Sequence, residues 1–418
     1  MNVSRHDREV LRDLAEKIAN IAVLPIHNEK IKMWKEVNSL KSKRPMVWIT
    51  AIPWHEMEVE DELKLKATNE FCRKIEMEMR RTIYRWKHMR VDMVIEPKIG
   101  CPLIINNSGF SIEENADIVK GDSDSNICSR HYNIQIKDED DIQKIKMPKI
   151  SYDEDATEQN YQIMSEIFNG ILEVEKYSSL APDFLFEPWD KLITWLGVQE
   201  GLTAMVLRPE FIHKCMERLM QAYNSMLDQY EKLNLLTLNN GNYMTGMAGL
   251  GYTDELPQSD FNPKKVKAAD LWGSSRDQIF TSVSPQMHEE FAINYELSWL
   301  KRFGLTYYGC CEALHDRIDI LKKIPNLRKI SISPFANLEE AVLQIGDSYV
   351  TSCKPNSLVL AAESWDPEMA RRDLINILEK TKGCHVEIIM KTISTVRYQP
   401  QRLWEWAKIA DEVIQSHY

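Results

Sequence analysis

The 418-residue sequence lacks any run of about eighteen apolar residues, so no membrane-spanning helix is expected. Its first residues, MNVSRHDREVLRDL, carry charge throughout and leave no apolar core for a secretion signal. A cytoplasmic protein is expected. Positive charge is in short supply: 52 Lys and Arg against 63 Asp and Glu give a formal charge of −11. That balance argues against nucleic acid or an anionic membrane as the main partner. Common motifs are missing too. Gly241, Gly246, Gly249 and Gly251 in NGNYMTGMAGLG do not follow GxGxxG spacing, no Gly-Lys-Ser/Thr follows them, and no GxSxG elbow occurs. A dinucleotide site, a phosphate loop and a serine hydrolase are thereby disfavoured. The glycines better fit flexible backbone near a strand end, closing on a ligand. Cysteine is modest at eight residues, none in CxxC spacing. Such thiols are more often buried, catalytic or metal-bound than bridged.

What is present reads as globular: 44% hydrophobic and 28% charged residues, enough chain to bury a core without disulfides or metal. Residues 1–44 form a helical extension. Val10, Leu11, Leu14, Ile18 and Ile21 recur at helical spacing, and after Pro25 so do Ile31, Trp34, Val37 and Leu40. PMVWITAI (45–52) reads as a buried strand, a charged helix follows at 62–90, and VDMVIEP (91–97) reads as the next strand. The acidic, turn-rich stretch 107–160 reads as an insertion near the mouth. Further strand candidates are LLTLNNGNY, AADLW, QIFTSVS, LTYYGCC, RKISIS, SYVTSC and VEIIMK, with helical patterns between most of them. Repeated strand–helix units predict a parallel sheet. The expected fold class is α/β: a (β/α)8 TIM barrel over 45–418.

In such a barrel the chemistry sits at the C-terminal strand ends. After PMVWITAI come Trp54, His55 and Glu56. After QIFTSV come His288, Glu289 and Glu290. LTYYG leads to Cys310, Cys311 and Glu312, SYVTS to Cys353 and Lys354, and VEIIM to Lys391. Thiolates and carboxylates from different strands are what a zinc site requires. The same thiols also fit small buried hydrophobes near strand ends. The candidate metal ligands are Cys310, Cys311, Cys353, Glu312 and Glu290. The candidate acid–base groups are His55, Glu56 and His288, with Trp54, Lys354 and Lys391 as substrate contacts.

The segment LKRFGLTYYGCCEALHDRIDILKKIPNLRKISISPFANLEEAVLQIGDSYVTSCKPNS, with its GCCE and KPN runs, resembles the uroporphyrinogen-decarboxylase-like superfamily. The likeness is densest from about 270 to 410, and RPMVWITAIPWHE looks like that group's first strand. Decarboxylase members carry an arginine-containing MRQAGRY stretch after that strand; ITAIPWHEM stands here instead, which argues against porphyrinogen as substrate. The resemblance therefore implies the branch of methyltransferases that serve corrinoid proteins. Its best-known ligand pattern, His-x-Cys with a distant Cys, is replaced here by Tyr308-Gly309-Cys310, with Thr392 near the distant position. The implied cofactors are zinc and a corrinoid (cobalamin) carried by a partner protein, since no Asp-x-His-x-x-Gly motif occurs in this chain. The implied reaction moves a methyl group from a small donor, an aryl methyl ether first (O-demethylation), to cobalt. Two rivals are a decarboxylase or other lyase, and a non-catalytic corrinoid- or metabolite-binding barrel. A homodimer is the assembly considered.

Overall fold

The computed structural model describes residues 3–120, 128–178 and 186–418. At its centre lie six parallel strands: β1 (Met46–Ile49), β2 (Trp272–Ser275), β3 (Leu305–Tyr308), β4 (Leu327–Ile332), β5 (Val350–Cys353) and β6 (His385–Met390). Their order across the sheet is β1-β6-β5-β4-β3-β2. Every residue of β1, β3 and β5 is buried, as expected of a parallel sheet covered on both faces. Side chains alternate across the sheet with period two. Val47, Ile49, Cys353, Ile388 and Met390 pack with Leu374, Ile377, Trp406 and Val413 of two C-terminal helices, Pro367–Lys380 and Gln401–His417. The opposite face mixes Trp48, Val350 and Ile389 with buried polar groups. Lys329 and Glu387 form an ion pair at 2.9 Å with both side chains fully buried, and the Ser352 hydroxyl donates to Glu387 at 2.5 Å.

The α/β class is as expected, but among the described residues the backbone ladder has six strands and does not close into an eight-stranded barrel. VDMVIEP and LLTLNNGNY lie at the two edges without pairing as strands. Side chains take the hydrogen bonds that a ladder would make. The Val47 N–H donates to the Asp92 carboxylate at 2.7 Å. Asn239 exchanges two bonds with the Trp272 backbone, 2.9 and 3.0 Å. The Asn242 amide donates to the Val94 carbonyl at 3.0 Å, joining one irregular segment to the other.

A second departure matters more for function. QIFTS forms a 3-10 helix, Gln278–Ser282, and the strand lies earlier, at Trp272–Ser275. Asp190 holds the turn: Gln278 donates its backbone N–H at 3.1 Å and its side-chain amide at 2.9 Å to that carboxylate. The residues at this strand end are therefore Arg276, Asp277 and Gln278, and the Ser284–Glu290 stretch lies on a helix that begins at Pro285.

The N-terminal helices, Arg5–Ala22 and Ile26–Asn38, form with the expected break at Pro25. They are part of the core rather than an appendage. Trp34 and Val37 are fully buried, and the Asn38 amide donates to the carbonyls of Leu250 and Tyr252 at 2.8 Å each. In the acidic stretch, GDSDSN lies outside the described residues. The rest makes short antiparallel pairs and buries Ile112, Ile136, Ile142 and Ile145 against Trp189, Trp195 and the helix Pro209–Lys232.

Candidate functional site

Three strand ends converge on two thiols. β3 ends at Gly309, whose φ of +101° suits glycine. A Cβ there would come within 2.9 Å of Ser331. The turn delivers Cys310 and Cys311 with their sulfurs 3.5 Å apart. Glu312, buried, accepts the Cys310 backbone N–H at 2.9 Å and so fixes the turn. From the end of β6, Lys391 donates to the Cys310 sulfur at 2.8 Å. From the end of β2, the Gln278 side-chain oxygen lies 3.6 Å from the Cys310 sulfur.

The two thiols share their protons unequally. Hydrogen bonding from Cys310 and the positive charge of Lys391 draw the Cys311 thiol down to about 5, against the opposing effect of burial. Cys310 is pushed up by the same bond and by its burial. With the Lys391 ammonium on its buried sulfur, the pair favours one thiolate near neutral pH. Burial and the neighbouring Cys310 raise Glu312.

Two more cations lie close by. Lys354, at the end of β5, is buried and donates to the Ser352 carbonyl (2.9 Å), the Ser352 hydroxyl (2.6 Å) and the Tyr307 hydroxyl (3.3 Å). Burial and the adjacent Lys391 pull its ammonium down to about 7. Arg276, at the end of β2, donates through Nε to Glu187 at 2.7 Å. Sequence reading missed it because strands were expected at AADLW and at QIFTSVS, on either side of Arg276, whereas the strand runs Trp272–Ser275. A cavity of about 10 Å³ opens among Arg276, Ser274, Tyr307, Gly309, Gly246 and Phe186. Gly246 has φ +58°, and a Cβ there would meet Tyr307 at 2.7 Å and Ser274 at 2.9 Å, so the glycine-rich segment approaches this wall as only glycine can.

The other candidates lie elsewhere. Cys353 points away from the thiol pair into the apolar layer under the C-terminal helices, and burial raises its thiol to about 12. Glu290 is more than half exposed and faces His213 at 3.4 Å. His288 is buried behind β3, where its Nε2 meets the Tyr308 hydroxyl at 2.8 Å and its Nδ1 meets Arg317 at 3.2 Å. Glu56 accepts from the Thr395 hydroxyl and from the Val396 and Tyr398 backbone N–H groups, pinning the loop after β6. His55 lies beside it, 3.6 Å away. Trp54 packs edge-on to Tyr84 under the Arg81 guanidinium.

The donor set can be tested against zinc. Among the described residues no three His, Cys, Asp or Glu side chains come together to hold a metal ion. Cys310 and Cys311 supply two sulfurs, Lys391 occupies one of them, and Glu312 is turned onto backbone N–H groups. Four ligands in a tetrahedron, or three and an open position, are not assembled by this arrangement. Also among the described residues, no helix is long and apolar enough to cross a membrane.

No protein-family model matches this sequence, and no curated protein matches it. Among solved structures, the chain is similar in fold to a methyltransferase from Methanosarcina mazei, with a TM-score of 0.52 at 9% sequence identity over 92% of this chain and 98% of that one.

Proposed function

We propose that this chain is a methyltransferase that takes a methyl group from a small donor, an aryl methyl ether first, and passes it to a corrinoid carried by a partner protein. The observation that carries the reading is the Cys310–Cys311–Lys391 cluster, at the strand ends of a fold shared with a methyltransferase. A barrel of the uroporphyrinogen-decarboxylase type, closed through the two irregular edge segments, is part of the same proposal. The reduced corrinoid supplies the electron pair for the new bond to the methyl carbon. When the carbon–oxygen bond breaks, its electron pair stays on the phenolate oxygen. Lys391 is the group placed to give that oxygen a proton, and proton transfer to a leaving group contributes about 10²–10⁴ in rate. Lys391, left as a neutral amine, takes a proton back from solvent before the next turnover, and the thiolate of the adjacent pair favours the restored ammonium. Much of the remaining gain comes from holding donor and acceptor in line. The present residues do not fit zinc, and zinc on the two sulfurs would require Lys391 to move off Cys310.

The test is an incubation with reduced cobalamin and a panel of methoxylated aromatics, methylated amines and methyl thioethers, following methylcobalamin by absorbance. Ether-dependent formation is expected, with a drop of about 10²-fold or more in Lys391→Met. Activity with amines or thioethers alone would refute the ether assignment. Silence across the panel together with carbon dioxide release from a porphyrinogen would establish the lyase rival instead.

A further inference from the structure

Cys310 and Cys311 are consecutive in the chain, and their sulfurs lie 3.5 Å apart. The fold fixes one of them and leaves the other within reach of solutes. Cys310 is buried; Glu312 holds its backbone N–H, and its carbonyl accepts from the Ser331 hydroxyl at 2.9 Å. Cys311 is partly exposed, with its sulfur 3.9 Å from the Thr392 hydroxyl. A sulfur–sulfur bond is about 2.05 Å long, so the pair has about 1.5 Å to close, which a swing of the more exposed side chain supplies. The Lys391 ammonium, 2.8 Å from the Cys310 sulfur, favours ionisation of the pair. Elsewhere burial pushes the thiols of Cys72, Cys101, Cys215, Cys353 and Cys384 up, away from the reactive form. The pair alone joins a nucleophile that a solute can meet to a second sulfur directly behind it, among the described residues.

We infer that Cys310 and Cys311 form a reversible oxidation site, closed into a vicinal disulfide by the disulfide of a low-molecular-weight thiol. The Cys311 thiolate attacks one sulfur of that disulfide; its S–S bond breaks, one small thiolate leaves, and a mixed disulfide forms on Cys311. Cys310 gives up its proton to a departing thiolate and attacks the Cys311 sulfur. The second small thiolate leaves, and the Cys310–Cys311 bond forms. The protein pair has lost two electrons, and the small disulfide has been reduced to two thiols. Consecutive Cα atoms lie about 3.8 Å apart, short of the roughly 4.4–6.8 Å that an unstrained disulfide spans. The closed ring is therefore strained, and strained disulfides are the easily reduced, regulatory kind. Closure also leaves neither sulfur able to carry negative charge beside Lys391. The inference concerns the thiols alone and stands whether or not the chain transfers methyl groups.

The full chain is incubated with oxidised glutathione, quenched with iodoacetamide and digested with trypsin. Peptide 303–317 holds both cysteines and no other. In wild type this peptide is expected to be lighter by two hydrogens and to resist alkylation, and excess reduced glutathione should restore two alkylatable thiols. In Cys310→Ser the same peptide should instead keep one glutathionyl group on Cys311, because the sulfur that displaces it is gone. In Lys391→Met ring closure should slow several-fold. If a variant fails to fold, the mass of the wild-type peptide decides alone. A wild-type peptide that stays unmodified, that keeps the glutathionyl group without closing, or that is joined to a peptide carrying another cysteine would overturn the inference. So would a ring that survives excess reduced glutathione.

Discussion

A thiol next to an ammonium is a chemically different object from a thiol in a core, and this chain contains both. Cys353 is surrounded by aliphatic side chains and its proton is held tightly. Cys311, bonded to Cys310 and near Lys391, is held well below the ordinary thiol range. The thiolate is the reactive form, so the sign is definite: above about pH 5 Cys311 is largely ionised, and below it the thiolate disappears. Iodoacetamide should therefore modify Cys311 at a rate that is already near its plateau at pH 7 and falls as pH drops through about 5, read by mass spectrometry of the modified peptide. In Lys391→Met the midpoint should move upward and the rate at pH 6 should fall several-fold. A wild-type midpoint near 8.5, the value of a free thiol, would show that the pair is not coupled as described. The sequence made the GCCE run visible as a place for chemistry, and Lys391 as a residue after a strand. It could not show that they touch, because 81 residues separate Cys310 from Lys391. Nor could it sort Cys353 from its neighbours. That depends on which face of β5 each residue takes, and the run Val350, Thr351, Ser352, Cys353 has no apolar–polar alternation to declare it.

At the scale of elements, the strands that were legible were those dense in β-branched residues with clear flanking turns: β1, β3, β4, β5 and β6. The ones misread share a cause. QIFTS has strand-like composition, but the Asp190 carboxylate holds Gln278 by backbone and side chain, and a turn results. WGSS, the actual strand, has little strand propensity and is made by its neighbours and by Asn239. Tertiary context overrides local preference in both cases. That one displacement hid Arg276 and put His288 and Glu290 at a strand end they do not occupy. The edge of β1 shows the same reliance on single side chains. Asp92 is fully buried and accepts from Lys30, Arg44 and the Val47 N–H. Despite the cost of burial, Arg44 and Lys30 keep its carboxyl below the usual range. Asp92→Ala leaves two cations and a strand N–H unanswered, and the expected loss is about 3 kcal/mol or more, read as a shift in the denaturant midpoint. Because the folded value is depressed, this stabilisation is present above the unfolded carboxylate value and is lost as pH falls through the folded one. A loss under about 1 kcal/mol would mean that the edge is held by something else.

For the whole molecule, the packing of the N-terminal helical extension speaks against removing it. Trp34 lies against Gly249, where a Cβ would come within 2.4 Å of the indole. Lys30 reaches Asp92, and Asn38 holds the backbone at Leu250 and Tyr252. A chain lacking residues 1–44 is expected to be insoluble or to lack cooperative thermal unfolding. A soluble deletion that melts in a single sharp transition would show the two parts to be independent. The side-chain seams at the sheet's edges have a further consequence. A strand whose backbone N–H and C=O groups face outward is a template for any extended chain that reaches it. In this fold the outer rows of β1 and β2 are covered not by further strands but by the irregular segments 91–97 and 235–243, with the Asp92 carboxylate answering β1 and the Asn239 carboxamide answering β2. Losing either would open an edge for recruitment, so damage at Asp92 or Asn239 would be felt first as concentration-dependent self-association, with turbidity rising in crowded solution while dilute samples stay clear.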